Sequence, residues 1–183
     1  MKTVVINFIG GPGTGKSLMA ALLFAHMKKD GFNVEYIQEF AKELVWKKEF
    51  DLLKDQLMVA KKQSSFISLI SKSVKVIITD GPIFHNIYYG KYVHFSENMK
   101  EIVDLVIEDQ KKYNNINIFL KRNLENGYEE SGRMQTESQA ISIDPILISL
   151  LESYNINYNE FLSDFYKIED ILSFVKKEIV KFG

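Results

Sequence analysis

Short apolar runs alternate along the chain with longer segments whose apolar residues recur at helical spacing. The runs predict four strands and a short fifth, near residues 3–9, 34–37, 74–79, 116–120 and 157–162. The helical spacing predicts helices near residues 16–29, 39–46, 51–71, 96–112 and 169–181. Strands that alternate with helices indicate an α/β fold, with a parallel sheet covered by helices on both faces.

Residues 121–135 are polar and contain glycine, so they are expected to form a loop after the fourth strand. Another helix is expected to begin near Thr136. Pro145 lies inside that helical pattern. Because proline cannot donate a backbone hydrogen bond, we expect either a kink there or a new helix that starts with Asp144 as its cap.

The first strand leads into a glycine-rich segment, residues 10–17, which reads Gly-Gly-Pro-Gly-Thr-Gly-Lys-Ser. Between a strand and a helix, this spacing is typical of a phosphate-binding loop. Its backbone amides and the following helix N-terminus favour a polyphosphate, so the chain is expected to bind ATP. Lys16 is expected to reach the β- and γ-phosphates, and Ser17 to hold Mg²⁺. The predicted nucleotide-binding residues are Gly11, Gly13, Thr14, Gly15, Lys16 and Ser17.

The third apolar run ends at Asp80, which is the expected place for a carboxylate associated with Mg²⁺. The next residues are Gly81 and Pro82, not a second acid. An Asp-Glu pair would favour an ATPase whose glutamate polarises water, so its absence argues against a motor, helicase or chaperone-type ATPase. Asp80 is therefore predicted to be both a metal ligand and a catalytic residue.

A second carboxylate, Glu39, follows the second strand. A kinase benefits from a carboxylate that accepts the proton of the attacking hydroxyl, and we predict this role for Glu39. Its alternative role is to favour the N-terminus of the next helix through its charge. Glu43, one turn later, is a weaker candidate for the base. Trp46, the only tryptophan, is expected either to stack on the acceptor or to pack within the protein.

Basic residues are strongly biased, with 23 lysines and arginines of which only Arg122 and Arg133 are arginine. Both arginines fall in the loop after the fourth strand. Because guanidinium groups bind phosphate oxygens through two parallel hydrogen bonds, we predict a lid at about 122–135 that closes over the triphosphate. Both arginines are predicted to stabilise the transferred phosphoryl group.

Residues 83–92 are rich in aromatic side chains and follow Asp80. They are candidates for the wall of an acceptor pocket, with Asn86 and Tyr88 as predicted substrate contacts. The alternative is that these aromatics belong to the core. His85 is expected to be a packing or surface residue rather than a pocket residue.

The composition narrows the class of partner. The net charge is −1, and the lysine pairs are spread over separate helices, so no nucleic-acid partner is expected.

The sequence also gives an expectation for localisation. No apolar run has the length of a membrane helix, and a strand at the N-terminus leaves no room for a signal peptide, so a cytoplasmic protein is expected. The chain has no cysteine. Its 183 residues suit a single domain, 1–183, that acts on a small molecule; its oligomeric state is left open.

Taken in order, these motifs resemble the P-loop kinases related to the ribosylnicotinamide kinase domain of NadR, and small phage ATP-binding, kinase-like proteins. The matching segments span nearly the whole chain, at residues 10–17, 38–43, 77–82, 86–92, 118–122 and 132–137. The resemblance implies a three-layer P-loop fold with about five parallel strands, ATP as the donor and a lid at 122–135.

The NadR-type members phosphorylate a ribosyl hydroxyl, and our leading hypothesis is phosphoryl transfer to a ribosyl or deoxyribosyl hydroxyl of a nucleoside-like acceptor. Two alternatives stay open. A nucleoside monophosphate kinase would need further cations for the acceptor phosphate, and the acceptor segments offer only Lys42 and Lys91. An ATP-binding regulatory or host-interaction protein with weak ATPase activity would consume ATP without an acceptor.

Overall fold

The computed structural model describes residues 2–129, 131 and 134–182. Its five strands are β1 Val4–Ile9, β2 Val34–Ile37, β3 Val76–Thr79, β4 Asn114–Lys121 and β5 Asn159–Leu162. Its α-helices are α1 Lys16–Lys29, α2 Phe40–Lys47, α3 Phe50–Lys54, α4 Gln56–Ile70, α5 His85–Tyr88, α6 Met99–Lys112, α7 Glu137–Ser153 and α8 Ile168–Lys181. A π-helical turn, Tyr89–Val93, continues α5, and two 3₁₀ turns lie at Leu124–Asn126 and Phe165–Lys167.

The five strands form one parallel sheet in the order β2-β3-β1-β4-β5, as an α/β P-loop fold requires. This confirms the expected fold class. β1 lies at the centre, and its alternating residues separate onto the two faces of the sheet. Val4, Ile6 and Phe8 pack with α1 and α8, whereas Val5 and Ile9 pack with the helices of the opposite face.

One predicted helix is wrong, and so is one of the two alternatives predicted for another helix. The long helix expected over 51–71 is divided into α3 and α4 at Asp55. The Asp55 carboxylate accepts the Met58 N–H at 2.9 Å, so it caps α4 and ends the preceding turn. Near Pro145, α7 does not restart but continues through the proline, and Asp144 is not a helix cap.

The strand order determines which segments surround the phosphate-binding loop. The loop follows the central strand, β1. Segments that follow β2 and β3 lie on one side of it, and segments that follow β4 and β5 lie on the other. Ligand sites of parallel sheets lie beyond the carboxyl ends of the strands, so the loop stands in the middle of that edge.

Candidate nucleotide and phosphoryl-transfer site

The phosphate-binding loop depends on glycine for its conformation. Gly13 and Gly15 have φ angles of 77° and 84°, in the left-handed region that side chains disfavour. The buried Thr14 hydroxyl donates to the Gly11 carbonyl at 3.0 Å and closes the loop from inside. Helix α1 begins at Lys16, directly after Gly15. The loop therefore ends at a helix N-terminus, which favours an anionic ligand.

Lys16 lies across its own loop. Its ammonium donates to the carbonyls of Gly10 and Gly11 at 2.8 Å and 2.9 Å. Burial lowers the pKa of Lys16, and the carboxylates of Glu39 and Asp80 oppose this shift. The lysine is thus held at the centre of the loop, and these two carboxylates and that of Asp144 are close enough to affect its ionisation.

Glu39 and Asp80 meet at the carboxyl edge of the sheet, as the sequence predicts. β2 pairs with β3, and Ile37 stands opposite Thr79, so the two acids leave neighbouring strands at a similar level. The Glu39 backbone N–H donates to Oδ1 of the buried Asp80 at 3.0 Å. The Asp80 carboxylate therefore holds the backbone that carries the second predicted catalytic carboxylate, Glu39.

Gly81 explains why no second acid follows Asp80. A Cβ at Gly81 would lie 2.6 Å from the Cα of Glu39 and 2.7 Å from its Cβ. Glu39 thus occupies the space beside Asp80. Its side chain lines the cleft described below, and burial raises its pKa, an effect that Lys16 opposes. In this site the second carboxylate comes from the neighbouring strand instead of the next residue.

Gln63 of α4, a residue not singled out from the sequence, holds the backbone on both sides of Glu39. Its Oε1 accepts the Phe40 N–H at 3.1 Å, and its Nε2 donates to the Gln38 carbonyl at 3.3 Å. The same Nε2 donates to the Thr79 hydroxyl at 3.2 Å. A buried amide therefore fixes the end of β3 and the backbone that carries Glu39.

Tyr36 on β2 lies between the two predicted magnesium ligands. Burial and the Asp80 carboxylate raise the pKa of Tyr36, and its hydroxyl also interacts with the Ser17 side chain. A hydroxyl and a carboxylate are the hard oxygen ligands that Mg²⁺ prefers. Among the described residues no group of three or more His, Asp or Glu side chains is placed to hold a metal. Two protein oxygens, from Ser17 and Asp80, are the predicted ligands, which would leave the other positions of a cation to phosphate oxygens and water.

Arg122 directly follows β4 and lies beside the phosphate-binding loop. Its Nε donates to Oδ2 of Asp144 at 3.1 Å, and its Nη2 donates to the Ala140 carbonyl at 3.2 Å. The other oxygen of Asp144 accepts the Gly11 N–H at 2.8 Å. The predicted phosphate-binding arginine is therefore engaged with α7, and the predicted nucleotide-binding amide of Gly11 is engaged with Asp144.

The predicted lid, residues 122–135, contacts the loop through Tyr128. Two carbons of the Tyr128 ring would lie 2.5 Å and 2.6 Å from a Cβ at Gly13, so the ring packs closely on that glycine. The Tyr128 hydroxyl donates to the Gln135 carbonyl at 2.7 Å. Arg133, the other arginine predicted to stabilise the phosphoryl group, lies outside the described residues.

A cleft of about 1010 Å³ opens over Lys16, Ser17 and Glu39. On the side of β2 and β3 it is lined by Trp46 of α2 and by Tyr89 of the π-helical turn. On the other side it reaches the lid segment and the residues that follow β5. Trp46 is 61% exposed, so the predicted stacking residue is available at the wall of the cleft.

The structure does not bring Asn86 and Tyr88 to this cleft with Trp46. Asn86 is buried and its Nδ2 donates to the Ile83 carbonyl within its own turn at 2.9 Å. Tyr88 packs in the core formed by α5, α6 and α7. The neighbouring Tyr89 lines the cleft instead.

His85 has a larger part in the site than the sequence indicated. It is buried, lines the cleft, and its Nε2 accepts the Gly10 N–H at 3.4 Å. Burial and the nearby Lys16 charge hold the pKa of His85 well below its ordinary value, so the ring is neutral. Glu43, by contrast, forms an exposed ion pair with Lys47.

The sequence contained a signal for one of the missed residues. Alternation along β2 places Tyr36 on the same face as Val34, toward α1 and Ser17, and period-two spacing would have found it. For Gln63 and Asp144 no local pattern exists, because their partners are 16 to 133 residues away in the chain.

A glycine loop between a central parallel strand and a helix, with Lys16, Ser17 and a strand-end aspartate around it, defines a P-loop nucleoside triphosphate-binding protein. A family model described as an AAA domain matches residues 5–166 of the 183. The chain belongs to this AAA-domain family. No curated protein matches it. In the part of the chain that the structure describes, no helix combines the length and apolar character needed to cross a membrane.

Proposed function

We propose that the protein is an ATP-dependent phosphotransferase whose acceptor is a hydroxyl of a small, nucleoside-like molecule. The observation that supports this most is the placement of Glu39. Its carboxylate lines the cleft beside Lys16, and its backbone is held by Asp80 and Gln63. A carboxylate fixed next to the phosphate site is suited to accept a proton from an attacking hydroxyl.

In the proposed reaction, the acceptor oxygen attacks the γ-phosphorus of ATP as its proton passes to Glu39. The bond between the γ-phosphorus and the bridging oxygen breaks, and ADP leaves. Lys16 and the loop amides bind the phosphates, with Arg122 beside the loop. Ser17 and Asp80 would hold Mg²⁺, which when bound neutralises charge on the phosphate oxygens. The role of Arg133 stays a prediction.

The size of the cleft supports a second substrate. Its volume of about 1010 Å³ reaches the upper end of the usual range for small-molecule pockets. The part on the side of β2 and β3 extends past Glu39 along aromatic walls formed by Trp46 and Tyr89. A hydrolase needs room for one water molecule there, whereas a phosphotransferase needs room for an acceptor.

The test is the variant Glu39→Gln, which keeps the shape of the side chain and removes the base. We expect kcat to fall by about 10²- to 10⁴-fold, while the Kd for Mg²⁺-ADP changes by less than about threefold. Glu43→Gln is the matched control, because Glu43 is on the helix that directly follows Glu39 but in an exposed ion pair. Phosphoryl transfer that survives in Glu39→Gln would contradict the proposed base.

The pH dependence gives a second check on Glu39. The base acts when ionised, and burial raises the pKa of Glu39 above its ordinary value. Activity should therefore rise with pH through a carboxylate pKa that is higher than the usual one of about 4.3, and Glu39→Gln should lack this rise. Rates of the wild type and Glu39→Gln across the acidic range test it.

The second candidate is nucleoside triphosphate hydrolysis, which the AAA-domain match favours. Glu39 would then activate water in place of a hydroxyl. Release of ADP, measured with and without a panel of nucleosides, nicotinamide riboside and nucleoside monophosphates, separates the candidates. Stimulation by a nucleoside supports the proposal, and stimulation by a monophosphate indicates a monophosphate kinase. A rate that no acceptor changes favours hydrolysis or a regulatory role.

A further inference from the structure

Asp144 joins three parts of the molecule that are distant in sequence. Its Oδ1 accepts the Gly11 N–H at 2.8 Å, and its Oδ2 accepts the Arg122 Nε–H at 3.1 Å. Arg122 Nη2 approaches Oδ1 at 3.4 Å and also donates to the Ala140 carbonyl one turn earlier in α7. One carboxylate thus connects the phosphate-binding loop, the start of the lid segment and the helix that follows it.

The pair is well enclosed. The side chains of Arg122 and Asp144 are 9% and 17% exposed. A Cβ at Gly11 would lie 2.5 Å from Oδ1 of Asp144 and 3.1 Å from Nη2 of Arg122, so both groups press directly against the loop. Bidentate pairs of this kind fix a guanidinium in orientation as well as in position.

A carboxylate at this place is electrostatically costly for a protein that binds a polyphosphate. Burial lowers the pKa of Lys16 and the Asp144 charge opposes this shift, so Asp144 also faces the region of negative phosphate charge. Charge alone would therefore weaken nucleotide binding. Asp144 compensates for this unfavourable charge through geometry, because it orients both the loop backbone at Gly11 and the Arg122 side chain.

We propose that Asp144 is a positioning residue for nucleotide binding, which holds Arg122 against the phosphate-binding loop and ties α7 to that loop. Nη1 of Arg122 lies 3.3 Å from the place of a Cβ at Gly13, beside the expected phosphates. Because α7 directly follows the lid segment, the same carboxylate couples the end of that segment to the loop. This role requires nucleotide binding only and does not depend on the identity of an acceptor.

The two effects of Asp144 predict opposite signs in Asp144→Asn. If the residue acts only as a nearby negative charge, its removal strengthens binding of Mg²⁺-ADP. If it positions Arg122 and Gly11, the amide cannot accept from both groups, and the Kd rises about tenfold or more. Isothermal titration calorimetry on the full chain measures this. Glu152→Gln, an exposed acid on the same helix, is the control and should leave the Kd unchanged.

A double-variant cycle identifies the route of the effect. In an Arg122→Ala background, Asp144→Asn should change the Kd by less than about threefold, because Arg122 is already missing and the asparagine oxygen is then available to the Gly11 N–H alone. A full tenfold loss in that background overturns the proposal, as does unchanged or tighter binding in the single variant. If Asp144→Asn does not fold, Arg122→Lys keeps the charge but not the two parallel bonds. It should weaken binding similarly, and unchanged affinity would overturn the proposal.

Discussion

At Gly81 the absence of a side chain lets two strands place their carboxylates together. The backbone of Glu39 passes so near that even a methyl group would overlap it. Asp80 and Glu39 can then form the direct contact that holds the base in place. One glycine therefore determines which of the two neighbouring strands supplies the second acid.

Gly81→Ala should cost about 1–3 kcal/mol of unfolding free energy, because the added Cβ meets backbone that cannot rotate away. It should also lower turnover, since Glu39 must move. Gly31→Ala is the control: Gly31 has a φ of 81°, but beyond its chain neighbours no described residue has an atom within 4 Å of the place of its Cβ. In Gly31→Ala, backbone strain should lower the unfolding free energy by about 1–2 kcal/mol, while turnover should stay unchanged. Urea unfolding and rate measurements on both variants compare them; equal turnover would contradict the argument.

At the scale of elements, the side chains of three asparagines connect the neighbouring strands β1 and β4 on one face of the sheet. The Asn7 amide donates to the side-chain oxygens of Asn115 and Asn117, each at 2.9 Å. Asn115 in turn donates to the backbone carbonyls of Asp109 and Gln110 at the end of α6. The amide of Asn7, the one polar side chain of the buried strand β1, thus has hydrogen-bond partners, and Asn115 of β4 is a partner for carbonyls near the end of a helix.

Asp109 is a buried carboxylate in this region whose hydrogen bonding is incomplete. Among the described residues, its Oδ2 and the Tyr113 hydroxyl are buried without a hydrogen-bond partner. Burial raises the pKa of Asp109, while the Ser64 hydroxyl opposes the shift. Because the folded pKa exceeds the unfolded one, ionisation destabilises the fold at neutral pH, and this penalty fades as pH falls through the folded pKa.

Asp109→Asn should therefore stabilise the protein by about 1 kcal/mol at neutral pH and by nothing below the ordinary carboxyl pKa of about 4. Asp104→Asn is the control, since it removes an exposed ion pair with Lys100 on the same helix and should be neutral or slightly destabilising. Denaturant unfolding at both pH values measures the difference. A stabilisation that stays constant with pH would exclude the ionisation of Asp109 as its cause.

Features set by neighbouring residues could be predicted from the sequence. Helix α1 and strand β2 have the predicted bounds, and Glu39 and Asp80 meet because parallel strands end at one edge.

Other features could not be predicted. The division of the helical segment at Asp55 was not predictable from helical spacing, because that spacing continues on both sides of Asp55. Tyr88 and Tyr89 show a second limit: a shift of one residue rotates a side chain by about 100°, so Tyr88 is buried in the core, whereas Tyr89 packs against that core and also lines the cleft. Contacts of Asp144 required the folded chain.

At the scale of the whole molecule, the cleft runs along the carboxyl edge of the sheet from α2 to the residues after β5, with Lys16 between. A ligand there would contact segments that follow every strand. Its binding should therefore stabilise the complete fold, not one loop.

Mg²⁺-ADP at about 100 times its Kd should stabilise the wild type by about 2.7 kcal/mol, or a Tm increase of about 5–10 °C. Lys16→Ala should lose most of this increase and all turnover, because the cation at the centre of the loop is removed. Lys61→Ala, an exposed lysine on α4, should keep both. Thermal unfolding with and without nucleotide measures the effect, and an equal increase in Lys16→Ala would show that Lys16 does not contribute to binding.

Trp46 gives the molecule its own optical reporter. It is the only tryptophan, it is largely exposed, and it stands on the wall of the cleft. Red-edge excitation therefore yields emission from one known place, without interference from other indoles. A compound that covers the Trp46 ring should shift the emission maximum to shorter wavelength. A ligand confined to the phosphate-binding loop should leave the emission maximum unchanged. Occupancy of the two halves of the cleft can thus be followed separately in the unlabelled wild-type protein.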